Sequence, residues 1–371
     1  MLQSPRTNNA IVVEYKTTPL SLKHWSILFI SALFLGGAAL GLVLKSSSDG
    51  FYPYTNPKHL IIDAFDNRGF SGNLAVSDQA KEADVLMFGT SGVAEGLWLD
   101  EKLNTQDPDE KKFVLFGLGD ASFLELYFVF DLIPKKPGQT VVIFPSPRTF
   151  ARLDDAYKEF YNGSFLQPAV KFANKVSDEI PRLKPLTTQF GQLKSRLRLG
   201  WLRSRRYIQT GLKSWAFASL YGFPGTEVYQ RYFFTHATPG DKDHIVSERA
   251  HIQNSLDPRF ENNVDENAKI LSLFIRDAKS MGMDVVLVES PVFEPEQNYG
   301  KWWAPYKQVL QDVADNEGVK LVDFNPKANL TEIDIVDPRH VSTTGRDKWS
   351  QTFVNWLAEW RADKEGEVTS E

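Results

Sequence analysis

The chain has 371 residues, 42% hydrophobic and 24% charged, with a formal net charge of −5 and no cysteine. That apolar share supports a sizeable core in one large domain or two ordinary ones. The charge argues against a protein built for nucleic acid, and the lack of cysteine excludes disulfides, thiolate metal sites and a cysteine nucleophile.

Residues 1–24 read as a short tail. Residues 25–44, WSILFISALFLGGAALGLVL, carry no charge. A helix of that length spans about 30 Å, the core of one bilayer. The stretch is longer than the apolar part of a cleaved leader, and no good cleavage site follows it. It therefore reads as a retained signal anchor. Arg6, Lys16 and Lys23 against Glu14 favour a cytoplasmic N-terminus. Residues 46–371 are then expected in the periplasm or outside the cell. Residues 45–79 read as a linker that begins with the Ser-, Gly- and Pro-bearing KSSSDGFYPYTNPK.

A domain spans 80–371. Its predicted strands are DVLMFG (84–89), FVLFGLG (113–119), TVVIF (140–144), DVVLVES (284–290) and VKLVDF (319–324). Continuous apolar strands of this kind are buried on both faces, as in parallel sheets. Helical patterns lie at 121–133, 264–281 and 303–317. A last amphipathic helix at 344–361 carries Trp349, Phe353, Trp356, Leu357 and Trp360. The alternation predicts an α/β doubly wound fold around a five-stranded parallel sheet. Residues 150–263 interrupt it as a mostly helical insertion. Within it, 182–213 hold nine Lys and Arg and no acidic residue. That run is either a solvated face or a contact with anionic headgroups. The nearby Trp201, Tyr207, Trp215, Phe217 and Tyr221 suit an interfacial helix.

Ligands in such sheets bind at the carboxyl ends of the strands, near the switch point. Ser91, Gly117, Ser146, Ser290 and Pro291 all fall there. Ser91 follows the first strand in VLMFGTSG and reads either as a helix cap or as a nucleophile. A serine nucleophile needs a base, usually a histidine oriented by a carboxylate. Of the six histidines, His340 stands in IVDPRHVSTTG ahead of the last helix, three residues after Asp337. The backbone N–H groups of Ser91, Gly117 and Gly119 are candidate oxyanion donors. Asp120 reads as a cap of the next helix, and Glu95 as structural.

These blocks, in this order, resemble the SGNH (GDSL-like) hydrolase and acyltransferase superfamily. Gly89-Thr90-Ser91 matches its nucleophile block, FGLGDAS (116–122) its glycine block, and Asp337 and His340 its Asp-x-x-His block. Gly92 directly follows Ser91, so this is not the Gly-x-Ser-x-Gly elbow of α/β-hydrolases. The third block of the superfamily usually holds an Asn. Here VVIFPSPRTF (141–150) has none, and Arg148 falls near that position as an oxyanion or substrate-binding candidate, against a reading as a surface ion pair. This variant resembles membrane-anchored acyl-transfer members, the teichoic-acid D-alanyl transfer proteins of the DltD type and the polysaccharide O-acetyltransferases of bacterial envelopes.

The resemblance implies a flavodoxin-like sheet and an acyl-enzyme on Ser91, with His340 as base and Asp337 orienting it. It implies transfer of an acetyl or D-alanyl group to a cell-envelope polymer, with a membrane-bound O-acyltransferase as partner and no metal or organic cofactor. A non-catalytic accessory subunit that binds polymer or the membrane enzyme is a second reading. A plain lipid or sugar esterase is a third.

Overall fold

The computed structural model describes residues 80–98, 100–118, 121–161, 166–194, 240 and 242–368, with isolated positions 30, 31 and 197. Apart from positions 30 and 31, the expected signal anchor and linker lie outside the described residues. Among the described residues, no helix is long and apolar enough to cross a membrane.

Strand β1 (Val85–Thr90) ends in helix α1 (Ser91–Gly96), and α2 (Asp100–Gln106) leads to β2 (Phe113–Leu118). Then come α3 (Phe123–Leu132), β3 (Thr140–Ile143), α4 (Pro147–Ala151), α5 (Leu153–Tyr161) and α6 (Leu166–Val176). The chain returns through α7 (Lys242–Leu256) and α8 (Arg259–Ser280) into β4 (Asp284–Val288). A short α9 (Pro295–Tyr299) precedes α10 (Trp303–Glu317) and β5 (Lys320–Val322). A hairpin of β6 (Ile335–Asp337) and β7 (His340–Val341) precedes α11 (Thr343–Val368).

The five main strands form one parallel sheet in the order β2-β1-β3-β4-β5. That is the flavodoxin-like order, with its switch point between β1 and β3. The α/β doubly wound architecture read from the sequence is present. Every residue of β1 is buried, as a central strand covered on both faces requires. Alternation then sorts the side chains. Leu86 and Phe88 join one core, with α3, α5, α6, α8 and α10. Val85 and Met87 join the other, closed by α1 and α11. Phe88 stacks on Phe116 (5.1 Å) and meets Phe130 and Phe274 edge-on. On the second face Trp349 stacks on Phe353 (5.8 Å) and packs against Phe144 and Phe324. Strand β5 is a short edge, and its exposed Lys320 discourages pairing with another sheet.

The insertion is helical where it is described, and its basic stretch is partly tied down. Arg182 pairs with Asp154 (2.7 Å) and Glu266 (3.1 Å) and lies over the ring of Tyr157. These acidic partners come from elements distant in sequence, so the run 182–213 gives no hint of them. Its residues 195, 196 and 198–213, and the aromatic residues beyond, lie outside the described residues.

Candidate active site

Strand β1 runs out at Thr90, and α1 begins with Ser91. Thr90, not Ser91, is the cap residue, with extended dihedrals and no side-chain capping bond. The Ser91 hydroxyl instead lies 3.2 Å from Nε2 of His340. The helix-cap reading of Ser91 is therefore set aside. The two other serines at strand ends are structural. Ser146 caps α4 through Thr149, and the Ser290 hydroxyl donates to the Pro145 carbonyl at 2.9 Å.

The sequence places Asp337 and His340 in a loop, but the structure pairs them across the β6–β7 hairpin, with Pro338 and Arg339 at its tip. One carboxylate builds this turn and sets the ring. Asp337 Oδ1 accepts the backbone N–H groups of Arg339 (2.8 Å) and His340 (3.2 Å), as an Asx turn does. Oδ2 lies 2.7 Å from His340 Nδ1. With Nδ1–H donating to that carboxylate, Nε2 is left to accept from Ser91. Burial pushes the Asp337 carboxyl up. The hydrogen bond and charge of His340, the Arg339 backbone bond and the Arg339 cation outweigh this, and the pKa lies below the ordinary carboxylate value.

The hairpin is braced from several sides. Asn298 donates to the Pro338 carbonyl at 3.1 Å and accepts from Arg249 of α7 at 2.8 Å. Glu248 of α7 lies 3.4 Å from the Arg339 guanidinium. The Gly240 N–H bonds the Ile335 carbonyl at 3.0 Å. Gly92 on α1 lets the Arg339 carbonyl approach its backbone. Behind the hairpin, fully buried Asp334 pairs with Lys348 of α11 at 2.6 Å.

A cleft opens on Ser91 at the switch point. Its wall includes Ser146, Arg148, Pro291, Tyr299 and Arg339. Arg148 is thus brought to Ser91, as its place near the missing Asn implies. Gly117 is not among the lining residues. It sits inside β2, in register with Gly89, because the strand continues one residue past it. Gly119 and Asp120 lie outside the described residues, and the cap of α3 is Ser122. Tyr299 and Arg339 are cleft residues that the sequence reading misses. Tyr299 stands at the end of a five-residue helix with no periodicity to announce it. Arg339 is visible inside Asp-x-x-His, but nothing in that motif says which way it faces. Among the described residues, no group of three or more His, Asp or Glu is placed to hold a metal ion.

The arrangement is a serine hydroxyl, an imidazole and a carboxylate in series, opening on a cleft whose wall includes Arg148 and Arg339. This geometry suits proton removal from the serine. No protein-family model matches the sequence, and no curated protein matches it. Solved structures do. An acetyl xylan esterase is similar over 74% of this chain and 98% of its own, at 15% identity and a TM-score of 0.34. A candidate acylhydrolase from Bacteroides fragilis is similar over 82% of this chain and 100% of its own, at 10% identity and a TM-score of 0.36. Likeness this loose assigns neither activity nor substrate, so the functional reading stands on the site.

Proposed function

We propose that the chain is a serine acyl hydrolase or acyltransferase of the SGNH type, acting through an acyl-enzyme on Ser91. One observation carries this: the Ser91–His340–Asp337 series, assembled from residues 249 positions apart at the carboxyl end of β1. The 3.2 Å separation is at the loose end of a hydrogen bond, as is common before substrate binds.

In the first half-reaction Ser91 Oγ bonds to the acyl carbonyl carbon while its proton passes to His340 Nε2. The tetrahedral intermediate collapses, the bond to the leaving oxygen breaks, and His340 returns the proton to that oxygen. In the second half, water or an acceptor hydroxyl attacks the acyl-enzyme and gives its proton to His340. The ester bond to Ser91 then breaks and the serine takes the proton back. Asp337 holds the ring tautomer and stabilises the imidazolium. Arg148 supplies donors on the side where the superfamily's Asn would stand.

The physiological setting follows from the sequence. The uncharged stretch 25–44 anchors the domain on the outer side of a membrane. The resemblance to envelope acyltransferases makes a cell-envelope polysaccharide the acceptor and a membrane-bound O-acyltransferase the donor partner. The test is a phosphonate probe for activated serines, applied to the full chain, with the adduct located by mass spectrometry. The expected result is labelling at Ser91 that disappears in His340→Ala. A folded chain that takes no label would shift the reading to a non-catalytic accessory subunit.

A further inference from the structure

Accepting Ser91 and His340 as the reacting pair, we infer that Asn298 is a positioning residue for His340, itself oriented by Arg249 of the insertion. Both act through the peptide unit at the tip of the β6–β7 hairpin.

The Pro338–Arg339 peptide unit is held at both ends. Its carbonyl accepts from Asn298 Nδ2 at 3.1 Å, and its N–H donates to Asp337 Oδ1 at 2.8 Å. A peptide unit is planar and stiff, so holding the carbonyl also aims the N–H. That N–H fixes the carboxylate whose other oxygen lies 2.7 Å from His340 Nδ1. The ring in turn presents Nε2 to Ser91. Pro338 has a locked φ and no N–H of its own, so its carbonyl is the one polar group by which its backbone can be held.

Asn298 is 1% exposed, and its amide nitrogen also donates to the Phe293 carbonyl. Its oxygen accepts from Arg249 Nε at 2.8 Å. A guanidinium only donates and a carbonyl only accepts. Arg249 therefore selects which end of the amide faces the hairpin. Arg249 is itself held by Gln297 Oε1 at 2.9 Å and by the Glu294 carboxylate. The residue before it, Glu248, pairs with Arg339 at 3.4 Å. Consecutive residues of α7 thus reach both tip residues of the hairpin, one by a direct ion pair and one through the Asn298 amide. An apolar side chain could fill the same space without burying an amide. What the amide adds is direction.

Histidine-ring nitrogen NMR on the full chain tests this without any turnover, with His340 assigned from His340→Ala. Asn298→Asp keeps the size of the side chain and its acceptor for Arg249, but it has no donor for the two carbonyls. The expected result is that the His340 Nε2 signal moves toward its position in Ser91→Ala. The Nδ1–H signal should stay, because Asp337 and His340 travel together within the hairpin. Arg249→Lys, which keeps the charge but loses the fork that orients the amide, should give a smaller movement in the same direction. Phe172→Leu disturbs the first core away from the hairpin and should leave both signals in place. In turnover of p-nitrophenyl acetate, kcat of Asn298→Asp should fall about 10- to 100-fold with KM nearly unchanged. Added to His340→Ala, the same substitution should cost nothing further. An unmoved Nε2 signal in folded Asn298→Asp overturns the inference, as does one in Arg249→Lys if the first chain does not fold. So does an equal movement in Phe172→Leu. A moved Nε2 signal in a chain whose wild type has no turnover supports the positioning role and counts against the serine reading alone.

Discussion

A β-carbon on residue 92 would stand 2.9 Å from the carbonyl oxygen of Arg339, so Gly92 is what lets helix α1 and the hairpin tip touch. The contact joins the element that carries the serine to the residue next to the histidine. Gly92→Ala must push the hairpin away by a few tenths of an ångström or more. We expect kcat to fall by about 10²-fold, the scale of a small misplacement of reacting groups. The melting temperature should fall by only a few degrees, since the hairpin is held elsewhere. Full activity in a folded Gly92→Ala chain would show that the contact does not position His340.

Asp337→Asn keeps the size of the side chain but offers the His340 ring an amide in place of a carboxylate. The equivalent change in serine proteases costs about 10⁴-fold in kcat through the wrong tautomer, and the same scale is expected here. Ser91→Ala and His340→Ala should each abolish turnover, and the double variant should be no worse than either alone. Additive losses, measured with an activated acetyl ester, would mean that the two residues do not act as a unit.

The same carboxyl predicts a pH signature in stability. Its folded pKa is depressed, so its stabilisation is fully present above the ordinary carboxylate pKa of about 3.9. That contribution is lost as pH falls through the lowered folded value. The gap in melting temperature between wild type and Asp337→Asn should thus close as the pH falls below about 3.9. Thermal melts of the two proteins from about pH 5 down to about pH 2 check it. A gap that widened over that acid range would have the wrong sign.

Trp349 offers a test of the second core. It is fully buried against Phe144, Phe324 and Phe353, so Trp349→Ala should cost about 3–5 kcal/mol. Its indole N–H is buried with no partner among the described residues. Trp349→Phe removes that unmet donor along with some contact area, so its cost should be below about 1.5 kcal/mol. Denaturant titrations of both variants decide it. A similar loss in the two would mean that the indole shape, not the unpaired donor, governs the site.

The five strands were legible because burial on both faces makes each an unbroken apolar run, and the predicted bounds fall within two residues of those observed. Helix α11 runs to Val368, past the predicted end at 361, because beyond Trp360 only Ala362 and Val368 are apolar, too few to mark a face. The small hairpin was not legible. Strands of three and two residues are too short to show alternation, and the turn depends on one carboxylate bonding its own backbone. Ser91, Asp337, His340 and Arg148 could be named because the chemistry limits the residue types and the topology limits the places. Tyr299 and Asn298 could not. They reach the site from a five-residue helix whose packing is set by α7 and the hairpin, which are distant in sequence. Gly117 drew attention for its place near a strand end, but it lies inside β2 and is not among the residues that line the cleft.

The separation of 249 residues between Ser91 and His340 also has a consequence in time. At roughly 5–20 residues per second of synthesis, the serine leaves the ribosome about 12–50 s before the histidine. In that interval the growing chain has the hydroxyl but no base, and its second core still lacks Trp349 and the rest of α11. On the proposed mechanism the nascent chain is therefore inert toward esters until the segment that carries His340 has been made and folded.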